Sequence, residues 1–205
     1  TVLHGLLISP DLDTITYTLA NAIDPDRGWG LIDESWRALD ALQRYGQVRP
    51  AGSHAASTWF GLGDQDLATH FYRTARLQEG ASLTDVTSEI ASAWGLDFRL
   101  LPMANDPAPT KVVVDTNDDP GVAGDGQISF QEYFVRHRHS IPVRELRLGA
   151  SSAQPTREAI EALTTADAVV IAPSNPLVSI GPIRALPHVD QILAKRRTTV
   201  VAISP

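Results

Sequence analysis

Apolar residues recur every three or four positions through the first half of the chain and gather into short continuous runs in the second half. The first spacing predicts helices and the second predicts strands. Ser9-Pro10-Asp11 reads as a helix start, with serine at the cap, proline in the first turn and an acid near the positive end of the dipole. Leu12, Ile15, Leu19 and Ile23 then mark one helical face, until the turn-rich stretch Asp24-Pro25-Asp26-Arg27-Gly28-Trp29-Gly30 breaks it. A second helix is expected over Glu34–Tyr45, with Trp36, Leu39 and Leu42 in register, and a third over Asp64–Glu79, stopped by Gly80. Ser82-Leu83-Thr84-Asp85 opens a fourth with capping-box spacing and the stripe Leu83, Val86, Ile90, Trp94. The segment 46–58, rich in Gly, Ala, Ser and Pro, reads as a flexible insertion.

After Gly95 the period changes. Strands or extended segments are expected at Phe98–Met103, Lys111–Asp115, Ile128–Val135 and Arg144–Leu148. Thr156-Arg157-Glu158 starts a helix carrying Ile160 and Leu163, and Ala168–Ala172 is a buried strand. A crossing helix over Ile183–Leu193 leads to a final strand at Val200-Val201. Strand, helix and strand in that order make a right-handed crossover and a parallel sheet. The whole reads as α/β: a doubly wound, Rossmann-like parallel sheet in one domain over 1–205, with a helical excursion at about 10–95. Thr1–Ile8 reads as an extended segment entered mid-structure, and Thr198–Pro205 as a strand without the helix that would cover it. The chain is therefore expected to be an interior piece of a longer protein.

Composition narrows the function classes. At 43% hydrophobic and 20% charged residues the chain is ordinary for a globular protein, and no run of eighteen apolar residues offers a membrane-spanning helix. The absence of cysteine removes disulfides, thiolate zinc sites and cysteine nucleophiles, and fits a reducing cytoplasm. A net charge of -7, from 17 basic and 24 acidic residues, argues against a nucleic-acid surface. An anionic small substrate would need local donors or a divalent cation.

Several stretches carry candidate chemistry. Asp11 and Asp13 share a face and can hold one divalent cation if the backbone is extended; in a helix they diverge, and Asp11 serves the first turn. Asp125-Gly126-Gln127-Ile128-Ser129-Phe130-Gln131-Glu132 matches the back half of a calcium loop, and Asp115-Thr116-Asn117 adds oxygens nearby. Positions one and three would be Gly121 and Ala123, which lack side-chain oxygens, so Gly124-Asp125-Gly126 is read as a hairpin turn. His137 and His139 lie within the basic run Arg136-His137-Arg138-His139, which repels a metal ion, and Lys195-Arg196-Arg197 reads as an exposed helix end. The loop Pro173-Ser174-Asn175-Pro176 leaves the carboxyl end of a strand, where open α/β sheets bind ligands, and Ser179-Ile180-Gly181-Pro182 continues it. Whether that loop binds or merely turns stays open on position alone.

Taken together, these segments resemble the 2-phospho-L-lactate transferase family, which builds the deazaflavin coenzyme F-420. The resemblance rests on Ile8-Ser9-Pro10-Asp11-Leu12-Asp13-Thr14, Asp26-Arg27-Gly28-Trp29-Gly30 and Leu62-Gly63-Asp64-Gln65-Asp66-Leu67-Ala68-Thr69-His70. It continues through Leu101-Pro102-Met103, Phe130-Gln131-Glu132-Tyr133-Phe134-Val135 and Ala172–Ile183, so nearly the whole chain is covered, the stretch 46–56 least. Gln65 stands where a basic residue is frequent in the family.

The resemblance implies a transferase that moves a 2-phospholactyl or phosphoenolpyruvyl group from a guanosine-diphosphate-activated donor to the deazaflavin Fo, releasing GMP. It implies Mg2+ as cofactor, with Asp11 and Asp13 as the catalytic and metal-holding acids. Asp13, Asp64, His70, Ser174, Asn175 and Ser179 become expected substrate-binding residues, the last three toward the guanosine diphosphate. Also implied are a cytoplasmic enzyme, a homodimer, and no nucleic-acid or membrane partner. Family members begin with a strand and a glycine-rich loop that precede Thr1, and continue beyond Pro205. The competing reading is a guanine-nucleotide-binding module without catalysis, or an inactive fragment.

Overall fold

A computed structural model describes residues 1–115 and 124–204, within which the chain forms two units, 1–100 and 101–205. Each is treated by itself.

The first unit opens with a hairpin instead of one extended segment. β1 (Val2–Leu3) pairs antiparallel with β2 (Leu6–Leu7), and His4 and Gly5 between them are both left-handed, as a tight two-residue turn requires. α1 follows over Pro10–Leu19, with Pro10 in its first turn; Ser9 makes no side-chain cap. The apolar stripe expected to turn inward does not. Ile15 and Leu19 are exposed at 42% and 48%, while Asp13, Thr16 and Tyr17 are buried. A polar face wins the interior because a complementary polar face meets it.

α2 (Arg37–Gly46) starts three residues later than expected. Glu34 is withdrawn from that helix: its carboxylate accepts from Leu31 N at 3.0 Å and from Asp66 N at 3.4 Å, and its side chain is fully buried. Asp66 lies in the first turn of α3 (Asp64–Gln78), so Glu34 caps α3 from a distance. Asp64 returns the favour. Its carboxylate accepts from Arg37 N at 3.1 Å and Ala38 N at 3.0 Å, capping α2, and takes the Ser35 hydroxyl as well. Beside Glu34, the Arg27 guanidinium lies 5.4 and 5.2 Å from the Trp29 and Trp36 ring centroids. Between α2 and α3, 47–58 forms turns without helix or strand. α3 stops at Gln78 ahead of left-handed Gly80, the expected stop, and α4 (Leu83–Ala93) carries the capping box Ser82–Asp85 and buries Val86, Ile90 and Ala91.

Phe98–Met103, which runs from the first unit into the second, is not a strand; in the second unit Ala104 makes an isolated bridge to Pro155. β3 (Thr110–Val114) is the middle strand of a sheet ordered β4-β3-β5, with β4 at Gln127–Ser129 and β5 at Val143–Leu148. Both pairings are antiparallel, so the parallel sheet expected of the chain as a whole does not include these strands. No described segment joining them is a helix long enough to cross a sheet face. The expected strand 128–135 breaks after Ser129 into a five-residue π-helix, Glu132–Arg136. Val112, Val114, Ile128 and Ile141 form the core here. Gly124 and Gly126 are left-handed and lead into β4; Thr116, Asn117, Gly121 and Ala123 lie outside the described residues.

α5 (Arg157–Thr165) is capped by Thr156, whose hydroxyl accepts from Ala159 N at 3.1 Å. β6 (Val169–Ile171) and β7 (Val200–Ala202) are parallel, the one parallel pair among the described residues. Val170 and Val201 are exposed at 62% and 57%, so the run expected to be buried alternates instead. The crossing helix is divided into α6 (Gly181–Arg184) and α7 (Val189–Lys195) around Pro187 and left-handed His188. Arg196 donates to the Leu163 and Ala166 carbonyls, serving the end of α5 as well as the exposed end of its own helix. The architecture is mixed α/β.

A β-carbon at Gly63 would overlap the Glu34 carboxylate. Gly63→Ala is therefore expected to lose about 1–3 kcal/mol, the range for overpacking a filled site. Gly46→Ala, helical and with open space at its β-carbon, should be neutral or gain up to about 1 kcal/mol. Urea denaturation of the two variants compares them directly.

Candidate functional site

Two polar stripes meet between α1 and α3. On α1, Asp13 and Tyr17 are one turn apart; on α3, Asp66, His70 and Arg73 follow at intervals of four and three residues, with Thr69 beside them. Such spacing places them on one face of each helix. Asp13, Tyr17, His70 and Arg73 are at most 5% exposed.

Arg73 is the hub. Its Nη2 donates to Asp13 Oδ1, and its Nη1 lies 3.2 Å from Asp13 Oδ2, 3.3 Å from His70 Nδ1 and 3.4 Å from the Leu7 carbonyl. Leu7 N donates to Thr74 Oγ1 at 2.8 Å, so α3 grips the end of β2 with adjacent residues. Because a guanidinium only donates, His70 Nδ1 accepts and the ring proton sits on Nε2. That nitrogen stands 3.2 Å from Asp66 Oδ2, yet out of line for a hydrogen bond. The Tyr17 hydroxyl donates to Asp66 Oδ1 at 2.7 Å and lies 2.9 Å from Thr69 Oγ1.

Burial pushes the Asp13 carboxyl above its ordinary range, and the charge and hydrogen bonds of Arg73 offset this only in part. Burial, reinforced by the Asp66 and Asp13 charges, raises the Tyr17 phenol, which stays a donor.

The structure distributes the expected site residues among different tasks. Asp13 and His70 share this cluster. Asp11 lies in the same first turn as Asp13 but is exposed, since residues two apart on a helix face different ways. Asp64 is engaged by the Ser35 hydroxyl and by the N-terminus of α2, which hold its carboxyl below the usual range. In the second unit, Asn175 Oδ1 accepts from Leu177 N at 2.9 Å and Val178 N at 3.1 Å, starting the π-helix Pro176–Ile180. Ser174 is half-buried and Ser179 exposed. His139 stacks on Phe134 with ring centroids 5.2 Å apart.

Sequence reasoning passed over Tyr17, Asp66 and Arg73. The signal was the polar spacing Asp66, His70, Arg73, which a search for apolar periodicity does not see. Among the described residues, the group able to hold a metal ion is Asp13, Asp66 and His70, with ligand atoms within 4.8 Å of one another. Magnesium takes one or two carboxylates and keeps water or phosphate for the rest, so the oxygens of Asp13 and Asp66 suit it. The protonated Nε2 of His70 does not.

A model of the 2-phospho-L-lactate transferase CofD family matches residues 2–205. The chain belongs to this family. Phosphoenolpyruvate transferases of Mycobacterium avium and Mycobacterium tuberculosis H37Rv are each 43% identical over 204 residues, 99% of this chain. The chain spans 57% and 58% of those relatives' lengths. A crystal structure of a UPF0052-family protein from Bacillus halodurans, 15% identical, covers 62% of this chain and 37% of its own, with a TM-score of 0.47. No helix of the described residues is long and apolar enough to cross a membrane.

For this member of the family the burial of Asp13 sets a stability test. Asp13→Asn leaves Arg73 buried without its counter-charge, an expected cost of about 3–5 kcal/mol. Asp11→Asn removes an exposed first-turn acid and should cost no more than about 0.3–1 kcal/mol. Chemical denaturation separates the two. Asn175→Ala should cost about 1 kcal/mol through the lost cap, measured the same way.

Proposed function

We propose that the protein is a transferase of coenzyme F-420 biosynthesis, moving a phosphoenolpyruvyl or 2-phospholactyl group from a guanosine-diphosphate-activated donor to Fo. The observation that carries this reading is family membership over 2–205, joined to a carboxylate buried and held by Arg73 in the family's acidic segment. The name of the 43%-identical relatives favours the enolpyruvyl donor over the lactyl one. The terminal hydroxyl of Fo attacks the phosphorus that bears the three-carbon acid. The bond from that phosphorus to the GMP oxygen breaks, GMP departs and the hydroxyl proton is released.

Asp13 and Asp66 are the residues suited to hold magnesium, with Asp11 adding negative charge on the solvent side of the same turn. When bound, magnesium would neutralise charge on the phosphoryl oxygens as they pass between acceptor and leaving group. His70 acts behind them, fixing Arg73. Ser174, Asn175 and Ser179 are read as contacts to the guanosine diphosphate. The Asn175 oxygen is spent on Leu177 and Val178, so its amide nitrogen is the group left for the nucleotide. A cytoplasmic location, a homodimer and a doubly wound, Rossmann-like sheet in the whole protein belong to the same reading.

The test is turnover by the whole protein, supplied with Fo and each donor, with product read by mass spectrometry. Product is expected with magnesium and not in excess chelator. Full turnover in chelator overturns the magnesium assignment. Nucleotide binding with no product from either donor returns the protein to the class of non-catalytic nucleotide-binding modules.

A further inference from the structure

We infer that Arg73 is a positioning residue for group transfer, one whose guanidinium fork sets the direction in which the Asp13 carboxylate faces its ligand. The inference rests on the reading that Asp13 acts in the transfer.

Four atoms meet the fork. Nη2 engages Asp13 Oδ1, and Nη1 is shared among Asp13 Oδ2, His70 Nδ1 and the Leu7 carbonyl. These belong to β2, α1 and α3, so one planar group ties together the three elements that converge on Asp13. A carboxylate gripped through both oxygens cannot rotate about its last torsion, and the lone pairs that remain point one way. A lysine ammonium supplies the same charge at one point and cannot span both oxygens while reaching Leu7.

Stability alone gives little reason for this arrangement. A buried ion pair between helices is commonly no more stable than apolar residues of equal volume. Here the pair is 2% and 7% exposed at its side chains, with Asp66 at 13% beside it. The two carboxylates are thus more exposed than the guanidinium that holds one of them. Arg73 itself is covered, so it reaches a substrate only through Asp13.

The experiment uses the whole protein and four forms: wild type, Arg73→Lys, Asp13→Asn, and Asp13→Asn combined with Arg73→Met. For each, kcat, KM for Fo and Tm are measured. In Arg73→Lys, kcat is expected to fall at least ~10-fold while KM for Fo changes less than about threefold. Wild-type kcat in Arg73→Lys, with only Tm lowered, overturns the inference, because a mere counter-charge is then sufficient. The double variant removes both charges together and remains testable if Arg73→Lys fails to fold. A residue that acts only through Asp13 costs nothing more once Asp13 is gone, so its kcat should match that of Asp13→Asn. A further fall of ~10-fold or more means that Arg73 works independently, and overturns the positioning role. Full activity in Asp13→Asn, by contrast, refutes the underlying reading of Asp13 and not the grip of Arg73 upon it.

Discussion

The ion pair between Asp13 and Arg73 is the constraint on which the first unit depends. Both partners are buried, and neither charge tolerates burial alone. The pair therefore dictates which face of α1 turns toward α3. It overrides the apolar stripe that α1 also possesses, leaving Ile15 and Leu19 exposed. The remaining members of the cluster follow from it. Nη1 of Arg73 reaches past Asp13 to His70, whose protonated nitrogen then faces Asp66, which in turn takes the Tyr17 hydroxyl.

A buried pair of this kind fixes a geometry only if its two helices are themselves held. The reciprocal caps do that. Glu34, just ahead of α2, closes the N-terminus of α3, and Asp64, opening α3, closes the N-terminus of α2. Two carboxylates each satisfy a donor that a helix cannot satisfy internally. Both favour their sites further through the helix dipole. The glycines at 30 and 63 leave the room that the Glu34 carboxylate occupies, and left-handed Gly30 also turns the chain beneath it. Within the segment Asp26–Gly30, Arg27 and Gly30 thus pack around one buried acid.

Local signals were legible, and distant ones were not. The capping box at Ser82, the stop at Gly80 and the cap at Thr156 depend on residues within a few positions of one another, and all three appear in the structure. The start of α2 was misplaced because Glu34 answers to Leu31 and to Asp66, and only the first is local. The parallel crossover of β6 and β7 was legible from strand, helix and strand in succession, but its extension to β3 and its neighbours failed because periodicity says nothing about strand direction. At the site, Asp13 was a candidate from its spacing with Asp11 and was favoured by the family resemblance, which alone supplied His70. Arg73, the residue that explains both, lay outside the quoted motif by three positions. A polar residue on the buried side of a helix looks like a surface residue until its partner on another helix is known.

The charge balance of the cluster limits what it can receive. Arg73 is spent on Asp13, so the pair presents little net charge to an incoming group. Asp66 accepts from the Tyr17 hydroxyl, with the His70 ring turned aside from it, and no arginine or lysine balances its charge within the cluster. A bare phosphate brought to these residues meets repulsion, since the single buried cation is already engaged on its far side. A divalent cation meets the opposite: two carboxylate oxygens, one of them oriented in advance, and an excess negative charge that it neutralises. For the diphosphate donor proposed above, that ordering is physically consistent. The protein spends its buried arginine on holding a carboxylate still, and the attraction for phosphate is left to the cation that the carboxylate would hold.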